Sequence, residues 1–337
     1  MEALKPAGSG SGATLKASVR RLLPALDVVL APLVAPAAVL LRLVRTAGLH
    51  RLPLCRRVLV GIGLLPIRRH YYEPLFDPRD LRSSLDGDRP LPGIDLRIGE
   101  QLSLLRELRT AGAEIADLTA TATATTDLSF HFGNVAFESG DAEIWYALIR
   151  HLRPRTIIEI GSGHSTKLAA RAIERNRRDD ASYRCRHVCI EPYEMPWLEK
   201  LGVEVVRRRV EEVGADFFAS LAAGDILFID SSHIIRPQGD VLFEFLELLP
   251  TLSPGVVVHV HDVFTPRDYL QPWVTEQVRL WNEQYLLEAF LTDNARWEVV
   301  LALNHLHHHH YDDLAKACPF LTPDREPGSF YIRRGGA

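Results

Sequence analysis

The segment over residues 156–166 constrains the fold of this chain more than any other. An apolar, β-branched run that contains the acid Glu159 breaks at a Gly-Ser-Gly turn, residues 161–163, and Ser165 then begins a run with helical spacing. This order predicts a buried strand, a tight turn and a helix. Glycines let the backbone pass close to a ligand, and the first N–H groups of a helix point towards it. The segment is therefore predicted to hold a nucleotide-like ligand.

Thr166 stands where a dinucleotide-binding fingerprint has its third glycine, which favours a ligand without a pyrophosphate. The segment resembles the first motif of class I S-adenosylmethionine-dependent methyltransferases, in which an acid-x-Gly-x-Gly turn holds the methionine part of the cofactor. About 30 residues on, the length of one βαβ unit, a second strand at 186–190 leads to Glu191. In that family this acid accepts hydrogen bonds from the ribose hydroxyls. The resemblance implies S-adenosylmethionine as cofactor, bound by Glu159, Gly161, Ser162, Gly163, Ser165, Thr166, Glu191 and Asp230.

Alternating strands and helices fill the rest of the chain. Strands are predicted at 203–206, 224–230, 256–262, 297–303 and 329–332, and helices at 102–118, 139–150, 211–221, 239–249 and 273–290. This alternation is typical of a parallel sheet covered on both faces, an α/β fold. The resemblance implies a Rossmann-like, seven-stranded class I methyltransferase sheet of order 3-2-1-4-5-7-6, with strand 7 antiparallel and an N-terminal helical extension.

Acids follow the fourth and fifth predicted strands: Asp230 in Ile-Asp-Ser-Ser-His, and Asp262 in His261-Asp262. Open α/β sheets bind ligands at these strand ends. Residues 225–263 look like a bacterial methyltransferase group with such strand ends, and more distantly like metal-dependent catechol-type and sugar O-methyltransferases. The resemblance implies that Asp230, His261 and Asp262 bind a divalent metal. Because one ligand is an imidazole, Mn²⁺, Fe²⁺ or Zn²⁺ suits the set at least as well as Mg²⁺. Alternatively, the acids contact the cofactor or close the turn, and His261 packs beneath them.

His233 follows Asp230 by three residues, where the catechol-type enzymes place a catalytic lysine. A neutral imidazole, with a reference pKa of about 6.5, can accept a hydroxyl proton. His233 and Asp230 are therefore the predicted catalytic residues, with His233 as general base. The expected function is O-methylation of a small hydroxylated or sugar-like metabolite. A metal-dependent hydroxylase or oxygenase of the same fold and a non-catalytic cofactor-binding protein, anchored by its N-terminus, remain alternatives.

The composition limits the size and the setting of the protein. With 337 residues and 47% apolar content the chain can bury a full core, and its formal charge of −4 argues against a general nucleic-acid binder. Its four cysteines lack zinc-type spacing, which indicates reduced thiols and a cytoplasmic location. The predicted parts are a disordered tail at 1–17, a basic apolar helical segment at 18–70, a connecting or lid region at 71–128, which includes an Ala/Thr linker at 119–126, and the methyltransferase domain at 129–337.

The N-terminal segment differs from the rest of the chain in its charge and in its apolar content. Residues 1–70 carry 11 Lys/Arg and two acids, a charge of +9, which leaves −13 for the remainder. Fourteen uncharged residues, Val28 to Leu41, are flanked by basic residues and interrupted by two prolines. This run is too short to span a bilayer core of roughly 30 Å. Two interpretations remain: a helical pair packed on the catalytic domain, or a peripheral contact of residues 18–70 with the inner face of the membrane.

A histidine run, His305 with His307 to His310, invites a metal interpretation. No carboxylate-containing constellation is recognised that would fix the geometry of these imidazoles, so the expectation is a surface loop, with Tyr311, Asp312 and Asp313, near the substrate entrance rather than a metal site. The oligomeric state is left open by the sequence.

Overall fold

The computed structural model describes residues 11–70, 72–111, 114–115, 128–193 and 195–336, and for residues 11–22 it describes the backbone only. The chain divides into two compact units, Met1–Leu81 and Arg82–Ala337. The predicted linker at 119–126 and the first ten residues of the predicted tail lie outside the described residues. The assignment of 71–128 to a connecting region stays a prediction.

In its described residues the N-terminal unit contains the α-helices α1 at Ser11–Ala47 and α2 at Pro53–Ile62, and a short 3-10 helix at Pro78–Asp80. α1 runs through Pro24, Pro32 and Pro36. A proline removes only its own N–H donor and strains one turn, so the remaining backbone hydrogen bonds can carry the helix past each of them. α1 ends at Ala47, and the next residue, Gly48, has a φ of 91° in the left-handed region that glycine adopts readily.

Two expectations for this unit are wrong. Residues 11–17 are helical and not a disordered tail. The apolar segment is also longer than the uncharged run from Val28 to Leu41. α1 includes a stretch of 25 residues, Leu23–Ala47, with a mean hydropathy of 2.0, which is long and apolar enough to cross a membrane by length and composition. At 1.5 Å per residue this stretch spans about 38 Å, against a bilayer core of roughly 30 Å. None of it is buried in the protein.

The C-terminal unit is built on one seven-stranded sheet. The strand order is β3-β2-β1-β4-β5-β7-β6, and β7 is antiparallel to both of its neighbours, β5 and β6, which confirms the predicted fold class. Parallel register brings the carboxyl ends of the central strands together, with Ile160 opposite Ile190 on one side and Ile229 on the other. The strands are β1 Thr156–Ile160, β2 Arg186–Ile190, β3 Glu204–Val206, β4 Ile226–Ile229, β5 Val257–Val260, β6 Trp297–Ala302 and β7 Phe330–Arg334.

Helices cover both faces of this sheet, which is why the central strands β1, β4 and β5 are buried at every position. One apolar cluster packs around Trp145 and Phe228, and the other packs around Phe245 and Val258. The helices of this unit are α3 Ile98–Leu108, α4 Asp141–Leu152, α5 His164–Asp179, α6 Val210–Val213, α7 Asp240–Leu242 continued by a π-helix at Phe243–Leu248, α8 Glu283–Leu291, α9 Leu303–His309 and α10 Tyr311–Ala317.

Three predicted elements differ in the structure. The helix expected over 211–221 is interrupted at Gly214, which has a φ of 86°. The helix expected over 273–290 is a π-turn at Pro272–Glu276 followed by irregular chain up to α8. That chain is held by the loop after β4, because the carbonyl of His233 accepts the N–H groups of Asn282 and Glu283 at 3.0 and 3.2 Å. The expected histidine loop is largely helical, as α9.

Candidate active site

The glycine turn after β1 is wedged between two strand ends. Gly161 donates its N–H to the carbonyl of Ile190 at 3.0 Å, and the N–H of Asp230 reaches the carbonyl of Ile160 at 2.8 Å. The φ of Gly161 is 77°, and a Cβ on it would stand 1.9 Å from the carbonyl oxygen of Asp230. Only glycine fits this position. A Cβ on Gly163 would instead meet its nearest neighbour, Met195 Cε, at 3.9 Å, so space is open beside the second glycine.

Three of the predicted cofactor-binding side chains face one another. The carboxylate of Glu159 is completely buried and accepts hydrogen bonds from the hydroxyls of Ser165 and Thr166, each at 2.9 Å. Its second oxygen lies 2.5 Å from His187 Nε2. Thr166 also accepts the N–H of Gly163 at 3.1 Å, and the Ser162 hydroxyl is buried beside this turn. Glu159, Ser165 and Thr166 therefore brace the turn.

A first cavity of about 520 Å³ opens at the carboxyl ends of β1, β2 and β4. Gly161, Glu191 and Asp230, all predicted from the sequence, line it. One carboxylate oxygen of Glu191 accepts the N–H of Tyr193 at 3.0 Å, which orients this acid at the rim of the cavity. Sequence reasoning missed other lining residues that follow the strand ends in loops, among them Tyr193, Arg209 and Ser232.

A second cavity of about 330 Å³ lies next to the ends of β4 and β5 and shares Asp230 with the first. Aromatic and basic side chains form one part of its wall: the guanidinium of Arg279 lies 4.2 Å from the ring centroid of Trp273 and 4.4 Å from that of Trp281. Carboxylates form the other part. They belong to Asp141, Asp230, Asp262 and Glu326.

Sequence reasoning missed Asp141, Arg279 and Arg325 in this second wall. The only local signal for Asp141 was its place at a helix start, where it accepts the N–H of Gly328 at 2.9 Å from far along the chain. Arg279 lies in the irregular chain that was expected to be helical. Its position therefore could not be inferred from periodicity.

The three predicted metal ligands converge at the strand ends. His261 Nδ1 lies 3.4 Å from an oxygen of Asp230 and 3.7 Å from an oxygen of Asp262. Both ring nitrogens of His261 are buried and have no hydrogen-bond partner among the described residues. Buried polar atoms are normally paired, so an imidazole of this kind beside two carboxylates fits a divalent metal. Asp262 has a φ of 58°, a left-handed conformation that few aspartates adopt and that often marks functional sites.

His233 is part of the same cluster. Its Nε2 lies 3.4 Å from Asp230 and 3.7 Å from Asp262, and these three side chains offer ligand atoms within 4.8 Å of one another. Its Nδ1 is 2.8 Å from Glu283, and its ring packs on Trp281 with centroids 4.2 Å apart. Sequence reasoning did not foresee His233 as a fourth candidate ligand or Glu283 as its partner.

The environment of His233 does not suit the predicted base. The side chain is buried and belongs to the wall of neither cavity. Burial lowers the pKa of its imidazole, but the hydrogen bonds with Asp230 and Glu283 outweigh that effect and raise the pKa to about 10. A raised pKa favours the protonated ring, which is the wrong form for a general base, so the assignment of His233 as base stays a prediction.

Comparison with known proteins agrees with this architecture. A family model described as a methyltransferase domain matches residues 158–263, which run from β1 to the strand-end acids of β5. The strand order of the sheet is that of class I enzymes. This part of the chain is similar to a class I methyltransferase domain. A protein of Archaeoglobus fulgidus described only as uncharacterized is 28% identical over 163 residues, 45% of this chain and 72% of the relative.

Two solved structures are similar at low identity. One is the O-methyltransferase TomG from Streptomyces achromogenes, involved in tomaymycin synthesis and in complex with SAM, with 18% identity, 70% of this chain and 90% of that chain covered, and a TM-score of 0.38. The other is an O-methyltransferase from Bacillus cereus in complex with SAH, with 16% identity, coverage of 70% and 91%, and a TM-score of 0.37. Because these scores are low, the fold of the C-terminal unit is identified by its own strand order.

Proposed function

We propose that this protein transfers a methyl group from S-adenosylmethionine to a hydroxyl of a small metabolite. The observation that carries the proposal is that Asp230 lines both cavities. A donor in the first cavity and an acceptor in the second would meet at this residue. Methyl transfer needs little more than such an in-line approach, because the sulfonium is already activated.

The first cavity suits a nucleoside-containing cofactor. Its volume of about 520 Å³ lies within the range of small-molecule sites. Glu191 is our candidate for the ribose hydroxyls, since its carboxylate stands at the rim of the cavity on the end of β2. The open space beside Gly163 is our candidate for the methionine part. In this proposal Glu159, Ser165 and Thr166 act by holding the turn.

The strand-end cluster suits a divalent metal held by Asp230, His261 and Asp262, with His233 close to two of these residues. Such an ion lowers the pKa of a hydroxyl that it contacts and thereby favours the nucleophilic alkoxide. Two carboxylates and an imidazole are typical ligands of Mn²⁺, Fe²⁺ and Zn²⁺, more than of Mg²⁺. Asp230 and Asp262 also line the acceptor cavity, so the hydroxyl proton has carboxylate acceptors beside it.

We propose a revised role for His233, that of a positioning residue. Its ring lies between Glu283 on one side and Asp230 with Asp262 on the other. From this place it orients the two carboxylates that line the acceptor cavity. The original assignment as general base requires a neutral ring that reaches the acceptor, and the burial of His233 argues against it.

The N-terminal unit is proposed to attach the protein to a membrane. The apolar side chains of α1 are exposed, with Val28 at 74%, Leu33 at 66% and Leu43 at 62%. Water does not stabilise such a surface, whereas lipid chains do. Seven Lys/Arg residues follow Leu41 up to residue 70, against four before it, which places the C-terminal side of α1 in the cytoplasm by the positive-inside rule.

Calorimetry with S-adenosylmethionine, S-adenosylhomocysteine and NAD tests the cofactor, and a preference for NAD would overturn the proposal. Transfer of isotopically labelled methyl groups to a panel of hydroxylated and sugar-like acceptors then tests the reaction. The strand-end cluster also contains two histidines, His233 and His261, near the carboxylate of Asp230, and two histidines with one carboxylate are the ligands of oxygen-activating iron sites. Oxygen consumption without methyl transfer would therefore favour the hydroxylase alternative. Tight cofactor binding without either reaction would favour a non-catalytic protein.

A further inference from the structure

The histidine run contains a pair of imidazoles with metal-ligand spacing. His305 and His309 are four residues apart on α9, so they project from the same face of the helix. Their rings are stacked with centroids 4.5 Å apart and an interplanar angle of 30°. The Nδ1 atom of His305 is buried and has no hydrogen-bond partner within the described part of the chain.

A carboxylate from a distant part of the sequence completes this pair. Asp88 Oδ2 lies 2.6 Å from His309 Nε2, although the two residues are 221 positions apart. Asp88, His305 and His309 each offer a ligand atom, and these atoms lie within 4.8 Å of one another. The expectation that the run lacks a carboxylate is therefore wrong. It failed because the acid comes from the N-terminal edge of this unit and not from neighbouring sequence.

We propose that Asp88, His305 and His309 bind one divalent transition-metal ion, which clips the chain around Asp88 to α9. Two imidazoles and one carboxylate favour Zn²⁺, Co²⁺ or Ni²⁺ over Mg²⁺ and Ca²⁺. The ion replaces the contact between His309 and Asp88 and binds one ring nitrogen of His305. This site shares no residue with the strand-end cluster of the active site.

The other histidines of the run are less suited to this role. His307 and His308 form a comparable group with Glu326. There, however, His307 Nε2 already contacts the carbonyl of Pro323 at 3.2 Å, and Glu326 accepts both the amide of Asn304 at 2.7 Å and His308 at 2.8 Å. Metal binding at that group would break satisfied hydrogen bonds. Each group contains one buried imidazole nitrogen without a partner among the described residues, Nδ1 of His307 and Nδ1 of His305. At the Asp88 group, however, only the contact between His309 and Asp88 has to give way to the metal.

The clip would stabilise a wall of the acceptor cavity. The oxygen of Asp88 that does not face His309 accepts Arg267 Nε at 3.2 Å. The next residue, Arg89, donates its N–H to Pro266 at 3.0 Å and pairs with Glu288 on α8. These bonds hold the segment between Phe264 and Leu270, which both line the second cavity. Metal binding at α9 therefore tightens the chain that shapes the acceptor site.

The test uses the full-length protein in detergent, purified without nickel chromatography and freed of metal by dialysis against a chelator. Co²⁺ is the spectroscopic probe, and Zn²⁺ affinity is measured by competition with a chromophoric chelator. We expect His309→Ala, His305→Ala and Asp88→Asn each to remove one equivalent of bound Co²⁺, or to weaken Zn²⁺ binding at that equivalent by at least about tenfold. His308→Ala is the matched control, since it lies in the same run but outside the site.

Three outcomes decide the matter. Loss of the equivalent in Asp88→Asn but not in His308→Ala supports the clip, as does metal-dependent protection of residues 82–93 from hydrogen exchange that disappears in the same variants. Loss in His308→Ala, with Asp88→Asn unchanged, overturns the proposal in favour of the group at Glu326. Equal, small losses in every histidine variant and none in Asp88→Asn overturn it in favour of a loose polyhistidine surface. Because Asp88 is exposed, its variant should fold even where a histidine variant does not.

Discussion

The two glycines of the turn after β1 should fail in different ways when each is replaced by alanine. Gly161 has a φ of 77°, and a Cβ there would stand 1.9 Å from the carbonyl oxygen of Asp230. Gly163 has an extended backbone, and a Cβ there meets its nearest atom at 3.9 Å. Gly161→Ala should therefore damage the fold at the meeting point of the two cavities. Gly163→Ala should leave the fold intact and fill space that we assign to the cofactor.

The magnitude follows from two costs at Gly161. An alanine in the left-handed region costs about 1–2 kcal/mol. Relieving a backbone clash in a packed interior costs about 1–3 kcal/mol more, because β1 and β4 must move apart. The free energy of unfolding should fall by about 2–5 kcal/mol, a large part of a typical domain stability of 5–15 kcal/mol. Neither cost applies to Gly163→Ala, whose unfolding free energy should stay within about 0.5 kcal/mol of the parent protein.

Urea unfolding of both variants measures the first effect, and calorimetry with S-adenosylmethionine measures the second. We expect Gly163→Ala to lose most of its cofactor affinity at nearly unchanged stability, and Gly163→Val, with a larger side chain, to lose more. Equal stability of Gly161→Ala and Gly163→Ala would refute the argument about the strand ends. Unchanged cofactor binding in Gly163→Val would refute the placement of the cofactor beside the second glycine.

Three further predictions concern the strand-end cluster and the N-terminal unit. Chelation should abolish turnover, and Asp262→Asn should lose the metal while cofactor affinity stays within a few-fold; full turnover in chelator would contradict this. The pKa of His233 is raised to about 10 in the folded protein, so its protonated imidazole stabilises the metal-free fold. This stabilisation is complete at pH values below about 6.5, the pKa of the unfolded state. That stabilisation should fade as the pH rises towards 10 and should be absent from His233→Gln. A turnover rate that falls as the pH drops through about 6.5, and that loses this dependence in His233→Gln, would instead restore His233 as the base. The full-length protein should stay with membranes after carbonate extraction, and removal of residues 1–81 should release it; release of the intact chain by carbonate would indicate a peripheral contact instead.

The strand ends show how far local sequence can predict a site. Glu159 and Glu191 are both acids at or near the end of a buried strand, and both were assigned to the cofactor. Only Glu191 reaches the first cavity, because the hydroxyls of Ser165 and Thr166 and the ring of His187 hold Glu159 inside the fold. Side chains alternate across a strand, but which face carries the ligand depends on the loops packed against it.

The helix boundaries differ for a related reason. Local spacing predicts one helix over 273–290, yet the N–H groups of Asn282 and Glu283 bond to the carbonyl of His233 instead of extending a helix from Trp273. That tertiary contact also places Trp281 on the imidazole and Glu283 beside it. No periodic pattern contains such a contact, since the partners are about 50 residues apart.

The sequence by itself determined the sheet, its order by resemblance, and the three acid or histidine positions that meet after β4 and β5. Short β-branched runs between helices can bury their surface in few ways other than a covered parallel sheet, and parallel strands bring their carboxyl ends to one edge. Tertiary structure alone decided which side chains complete each group: Glu283 beside His233, Arg279 over Trp273, and Asp88 against His309. These partners come from loops and helix ends, where position depends on long-range packing and hydrogen bonding and not on any local period.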